Sequence, residues 1–389
     1  MVYNIPVTFG QEVFTKNRLF DLFKSICETS HKKIVPRPKK NVRIIQSEKR
    51  NSQTVSLREL AAHLNLSPTA LSLVLNDAPA AVAIPQETKD RIFAAAEKFN
   101  YRPNYFARSL RAQRSFTLGV LVPELSDGYS AMVLSGVEKI LLGENYFYLL
   151  ASHRHRRDLL KQYPQLFIER CVEGIIAVDT PFDAPLAVPA VTVSGHQEIA
   201  GVTNIVLNHA RAAQLALGHL LEMGHTQIAF LKGQDFSSDT NVRWQAICET
   251  AKKCGVTINQ NLVAQLEGDT PSPEPGYAAT QKILERGAAF TALFAFNDVS
   301  AIGAIRALRE NGRQVPSDVS VLGFDDVYAA AFNNPALTTI RQPLFEMGQL
   351  AAQTLLKRIA AFGGAQPDNF PPLISVEPEL IVRSSTAQI

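Results

Sequence analysis

TVSLRELAAHLNLSPTALSLVLN, residues 54–76, decides how the amino-terminal part of this chain folds. Leu57, Leu60, Ala61 and Leu64 recur at the spacing that brings apolar side chains to one helix face. Asn65 follows, a residue type that tolerates the left-handed backbone of a tight turn. Ser67 then stands where an N-cap belongs, and Pro68 at the first helical position, where its missing N–H costs nothing. In the second helix Leu71, Val74 and Leu75 are expected inward, with Thr69, Ser72, Leu73 and Asn76 turned outward. Two short helices joined this way read as a helix-turn-helix, which lays its second helix in the DNA major groove.

The rest of the chain limits the alternatives. Its 389 residues exceed one ordinary domain, and a hydrophobic content of 46% supports sizeable cores. Cys27, Cys171, Cys248 and Cys254 follow no metal or redox spacing and are expected as buried free thiols in a reducing compartment. No apolar run reaches membrane-spanning length and no signal peptide is evident, so a cytoplasmic protein without a membrane partner is expected. The net charge of +3 hides an uneven distribution. Lys32, Lys33, Arg37, Lys39, Lys40, Arg43, Lys49 and Arg50 face only Glu48 between positions 31 and 50. Residues 1–53 therefore read as a disordered basic extension, either a phosphate-attracting tether or a stretch upstream of the working start.

Residues 54–102 form a helical unit whose third helix opens near Pro85 and is expected to bury Ile92, Phe93, Ala96 and Phe99. Residues 103–115 are a connector, where Pro103 breaks the preceding helix and Asn104 can cap a short new one to Arg111. From Phe116 the pattern alternates apolar strands with helices. Strands are expected at 117–123, 146–151, 174–178, 190–194, 227–233, 292–296 and 319–326, enough for two parallel sheets of four to six strands.

Together with the helix-turn-helix, YRPNYFARSLR (101–111), TLGVLVP (117–123), LLEMGHTQIAFLKG (220–233), FNDVSAIGAIRAL (296–308), DVSVLGFDDVYAAAFNNPALTTIRQP (318–343) and ELIVRSS (379–385) resemble the LacI family of bacterial transcriptional regulators in order and spacing. The resemblance implies an α/β chain: a helix-turn-helix headpiece, a hinge, and a periplasmic-binding-protein-like core of two doubly wound subdomains, 116–206 with 343–376 and 207–342 with 377–389. It also implies a double-stranded DNA operator and a small-molecule effector as partners, a homodimer or higher oligomer, no cofactor, and most often repression. A sugar or sugar derivative is the family's usual effector, with a nucleobase or organic acid left open.

Carried over residue by residue, the DNA-binding positions are Ser56, Ser67, Pro68, Thr69, Ser72, Leu73, Asn76 and Thr88, with Asn104, Arg108 and Leu110 in the connector. Leu110 matches the side chain that wedges between base steps in the minor groove. Leu73 departs from the usual guanine-reading Arg, so it touches a thymine methyl or packs. The effector positions are Tyr129, Ser194, Arg243, Asn297, Asp325 and Gln342, whose donors and acceptors suit a polar ligand. Arg243 with Asp325 also reads as a structural ion pair, and Tyr129 as the ring left to stack on a ligand. Neither a nucleophile elbow nor a metal-spaced cluster is evident, and His153-Arg154-His155-Arg156-Arg157 is expected on a solvated loop, so no catalytic or metal site is assigned. A binding protein of the sugar-transport type is the alternative function, disfavoured by the headpiece.

Overall fold

The computed structural model describes residues 55–76, 78–101, 109, 114–126, 128–362 and 369–389. The 1–53 extension and Asn104, Arg108 and Leu110 of the connector lie outside the described residues. The chain folds as two compact units divided at Phe116.

The first unit has helices α1 (Leu57–Leu64), α2 (Pro68–Leu75) and α3 (Gln86–Lys98), with a 3₁₀ turn at Pro79–Ala83. Ser56 and Glu59 close a capping box on α1, and Asn65 takes the left-handed turn at φ 53°. The Ser67 hydroxyl accepts from Ala70 N, and Pro68 opens α2. Leu60, Ala61, Leu71, Val74, Ala81, Ile92 and Ala95 make the core, with Leu64, Leu73, Leu75, Ala96 and Phe99 packed at its margin. The expected burial of the cysteines is corrected, since Cys171 and Cys248 are half-buried and Cys254 is exposed. Two expectations for this unit are corrected as well. Phe93 is exposed, because α3 turns the small Ala95 inward instead. Leu73 packs partly against the core rather than pointing wholly outward.

The second unit contains two six-stranded sheets. The first comprises β1 (Thr117–Val122), β2 (Phe147–Ser152), β3 (Ile175–Val178), β4 (Ala190–Val193), β5 (Val202–Leu207) and β11 (Leu373–Val376), in the order β11-β5-β4-β3-β1-β2. The second comprises β6 (Ile228–Lys232), β7 (Val263–Gln265), β8 (Ala292–Phe294), β9 (Ser320–Asp325), β10 (Thr338–Arg341) and β12 (Glu379–Ile381), in the order β12-β10-β9-β8-β6-β7. All pairings are parallel except β10 with β12. Strands β3, β4 and β5 are buried throughout, as parallel strands covered on both faces must be.

Helices α4 (Gly128–Gly143), α5 (Arg157–Glu169) and α11 (Leu344–Ala361) accompany the first sheet, and α6 (His209–Glu222), α7 (Asp239–Lys253), α8 (Glu274–Glu285), α9 (Asp298–Glu310) and α10 (Tyr328–Phe332) the second. The chain passes between sheets three times, after β5, between β10 and α11, and between β11 and β12. Each lobe contains one unusually close helix pair. A Cβ on Gly136 of α4 would stand 1.9 Å from the Phe345 carbonyl oxygen, and one on Gly348 of α11 2.0 Å from that of Val133. In the other lobe, Gly276 of α8 and Gly303 of α9 face the carbonyls of Ser300 and Pro273 at 2.2 and 2.0 Å.

Candidate effector cleft

In doubly wound sheets ligands collect beyond the carboxyl ends of the strands, and there this core opens a cleft of ≈ 830 Å³, mouth included. Each wall contributes from its strand ends. Glu124 follows β1, Asp179 follows β3, Gln234 and Phe236 follow β6, Asp269 and Thr270 follow β7, and Asn297 follows β8. Asp325 closes β9, while Asp239 and Arg243 stand on the first turns of α7.

Arg243 is the only Arg or Lys among the lining residues, and it is 4% exposed. Its Nη2 donates to Asp239 Oδ2 at 2.8 Å and its Nη1 to the Phe296 carbonyl at 2.5 Å. The guanidinium lies 3.7 Å from the Phe324 ring centroid and 4.4 Å from that of Phe296, a cation–π arrangement on both sides. The ion pair of Arg243 among the described residues is thus with Asp239, not with Asp325.

Asp325 is buried at φ 105°, a backbone strain that the fold must hold in place. Gln342 Nε2 donates to its Oδ1 at 2.6 Å. Burial pushes the Asp325 carboxyl well above the ordinary range, against the pull of Arg243. Next to it, Asp326 accepts from Arg341 at 2.8 Å and Arg383 at 2.6 Å. Asn297 caps α9, its Oδ1 accepting from Ser300 N at 2.9 Å, so its amide nitrogen is the group left for the cleft.

On the opposite wall, the Tyr129 hydroxyl meets Ser194 Oγ at 2.8 Å. Burial and then the Asp239 charge raise the Tyr129 pKa well above normal, so the phenol stays protonated. Asp179 reaches across to the other lobe and accepts from Ser238 N at 2.9 Å and Ser238 Oγ at 2.5 Å. Burial, reinforced by Asp239, pushes its pKa up to about 7. Ser238 Oγ also lies within hydrogen-bond reach of the Ser194 carbonyl, and its single proton serves one of the two acceptors at a time. These contacts tie the two lobes together at the cleft floor.

Of the six effector positions expected from sequence, Tyr129, Arg243, Asn297 and Asp325 line the cleft. Ser194 and Gln342 are fully buried behind it, bonded to Tyr129 and Asp325. Sequence reasoning missed Asp179, Asp239 and the aromatic surface. His155 stacks on Phe236 with centroids 3.7 Å apart, and Phe296 adds a further ring, so Tyr129 is not the only aromatic side chain at the cleft. The expected solvated loop at 153–157 is likewise corrected. His153 is buried against Thr180 at 2.8 Å, and burial pushes its pKa down to about 4. Arg154, Arg156 and Arg157 keep the expected exposure, the first two pairing with Glu124 and Asp158.

Among the described residues, one group could hold a metal: His196, His209 and Asp239. In the first unit, Ser67, Pro68, Thr69 and Asn76 lie exposed on or beside α2, Ser56 is exposed at the start of α1, and Thr88 and Ser72 are half-buried. Asn76 Nδ2 donates to the Ser72 carbonyl at 2.7 Å and to its hydroxyl at 3.3 Å, holding both side chains near the carboxyl end of α2.

Comparison with known proteins places these features in context. Residues 217–386 match the periplasmic binding protein-like domain. Over 341 residues the chain is 30% identical to the HTH-type transcriptional repressor PurR of Yersinia enterocolitica, which covers 85% of this chain and 97% of that protein. The lac repressor dimer bound to operator and the anti-inducer ONPF shares the fold with a TM-score of 0.74 at 24% identity, covering 86% of this chain and 100% of that one. The complex of the transcriptional regulator CelR with cellobiose gives 0.62 at 25% identity, covering 85% and 99%.

Proposed function

This chain belongs to the LacI family of transcriptional regulators, and from that premise we propose a non-enzymatic, cytoplasmic repressor whose operator affinity is set by a small polar effector in the cleft. The observation that carries the reading is the cleft itself, built from strand ends of two lobes joined by three crossovers. A ligand that touches both walls changes the angle between lobes without repacking either, which is how hinge motion is driven. Residues 54–102 are the headpiece, 103–115 the hinge and 116–389 the core in this reading. Specificity for DNA rests on Ser56, Ser67, Pro68, Thr69, Ser72, Leu73, Asn76 and Thr88, with Asn104, Arg108 and Leu110 completing the contact.

The cleft chemistry narrows the effector. Glu124, Asp179, Asp239, Asp269 and Asp325 line it against one guanidinium, which Asp239 already engages. An anionic ligand would enter an unfavourable field, whereas a neutral polyhydroxylated ring finds carboxyl acceptors and the flat faces of His155, Phe236 and Phe296. A carbohydrate fits this best, in keeping with the cellobiose complex of CelR. Exposed apolar side chains support self-association. Leu142, Phe147 and Leu149 lie on α4 and the edge strand β2, and Tyr328 and Phe332 on α10.

The test is selection of an operator from random duplexes, followed by titration of neutral sugars and sugar phosphates at fixed salt. A palindromic site whose occupancy responds to a neutral sugar is expected. The response should vanish in Asp325→Ala and Arg243→Ala, a coupling loss of about 1–3 kcal/mol. Equal binding to all duplexes, or a response to anions alone, would overturn the reading.

A further inference from the structure

At the edge of the effector cleft, two histidines that the proposed function does not use converge from different elements on the cleft residue Asp239. His196 belongs to the loop after β4, at φ 55°. His209 opens α6 at the first crossover, and Asp239 opens α7. His196 Nε2 lies 2.5 Å from Asp239 Oδ1, and His209 Nε2 lies 3.3 Å from the same oxygen. One candidate ligand atom from each residue falls within 4.8 Å of the other two.

We propose that His196, His209 and Asp239 form a binding site for a divalent transition-metal ion of the Zn²⁺ class, placed so that the ion joins the two lobes. Imidazole nitrogens and a carboxylate oxygen are the donor set such ions select. Tetrahedral Zn²⁺ with bonds near 2.0–2.1 Å spaces its ligands about 3.3 Å apart. The His209–Asp239 distance already meets that spacing, and the His196–Asp239 distance reaches it by opening less than 1 Å. Three protein ligands would leave a fourth position for water.

The surroundings suit an ion. Asp239 Oδ2 is held by Arg243, so Oδ1 is fixed in the orientation that a monodentate ligand needs. The second nitrogen of His209, Nδ1, is buried without a hydrogen-bond partner, so Asp239 makes the only polar contact of that ring among the described residues.

The experiment uses Co²⁺ and Zn²⁺ alone on the full chain after chelator treatment, so it does not depend on the effector reading. Expected are one Co²⁺ per chain, a visible spectrum of nitrogen and oxygen ligation without a thiolate charge-transfer band, and a rise in Tm with either ion. His209→Ala and His196→Ala should weaken binding by about tenfold or more. His196→Asn, whose amide can still hydrogen-bond Asp239, should keep the metal-free Tm and lose the metal-induced rise, which separates lost ligation from lost folding. Absence of saturable binding, binding through thiolates, or equal binding by wild type and the histidine variants would overturn the site.

Discussion

The headpiece and the core are stabilised on opposite terms. Between Val55 and Tyr101 every fully buried side chain described is apolar, and the polar side chains described are exposed or half-buried. The core instead buries Asp239, Arg243, Asp298, Asp325 and His209, all near the ends of its strands. Burying charge is costly unless each group is paired. A unit that reads DNA with its surface has no need of that cost, while a unit that encloses a small molecule must place polar atoms where water is excluded. The difference separates a unit designed for contact from one designed for enclosure.

The sharpest way to break this comparison is to remove one apolar side chain from the headpiece. Leu71→Ala is expected to cost about 2–5 kcal/mol, enough to unfold a core of seven buried residues. Operator binding should disappear in a mobility-shift assay while the melting transition of the core is unmoved.

An effect of similar size is expected from the core's own kind of defect. Asp298 accepts from Val327 N at 2.9 Å and Thr339 Oγ1 at 2.6 Å. Asp298→Ala strands both donors and should destabilise the core by about 2–5 kcal/mol, read by calorimetry as a lower Tm of the core alone.

Asp179→Asn tests the burial of charge by its sign. Burial raises the Asp179 pKa to about 7, so the folded state holds a proton that the unfolded chain has released. Its favourable contribution is complete below the unfolded carboxyl pKa and is lost as pH rises through about 7. The Tm advantage of Asp179→Asn over wild type should therefore grow from pH 5 to pH 8; a gap that is constant or shrinks contradicts the assignment.

The smallest expected effect belongs to a headpiece surface group. Ser67→Ala removes the N-cap of α2 and should cost about 1 kcal/mol of headpiece stability, visible as a lower urea midpoint. An equal change in the core transition would blur the distinction between the two regions.

The same contrast explains what could be read from sequence. Caps and turns act within a few residues, so Ser67, Pro68 and Asn65 are legible one by one, and the structure places them as expected. Phe93 misled because Ala95, the residue that turns inward, is too small to stand out in a hydrophobic pattern. Long apolar strands such as β1 and β6 were legible, but β5 carries the buried polar residues Thr203 and Asn204, and β10, β11 and β12 are only three or four residues long. Arg243, Asn297 and Asp325 were reached through family resemblance. Asp239 lies one helical turn before Arg243, a spacing that predicts an ion pair. Asp179 directly follows the apolar strand Ile175–Val178, the position from which an open sheet presents ligand groups. His196 and His209 had no such local mark, because different elements bring them together.

The four helix glycines have a mechanical consequence. Where Gly136 and Gly348 face each other across one helix pair, and Gly276 and Gly303 across another, backbone rests on backbone with no side chain between to change rotamer or slide. Each lobe then behaves as a stiff lever arm. Work done by a molecule gripping the cleft cannot be dissipated as slack inside either arm and is delivered to the fulcrum, the three short spans between the sheets. A methyl group at any of these glycines would introduce compliance into the arm, and the loss would be felt as weaker transmission even where the cleft and the headpiece are untouched.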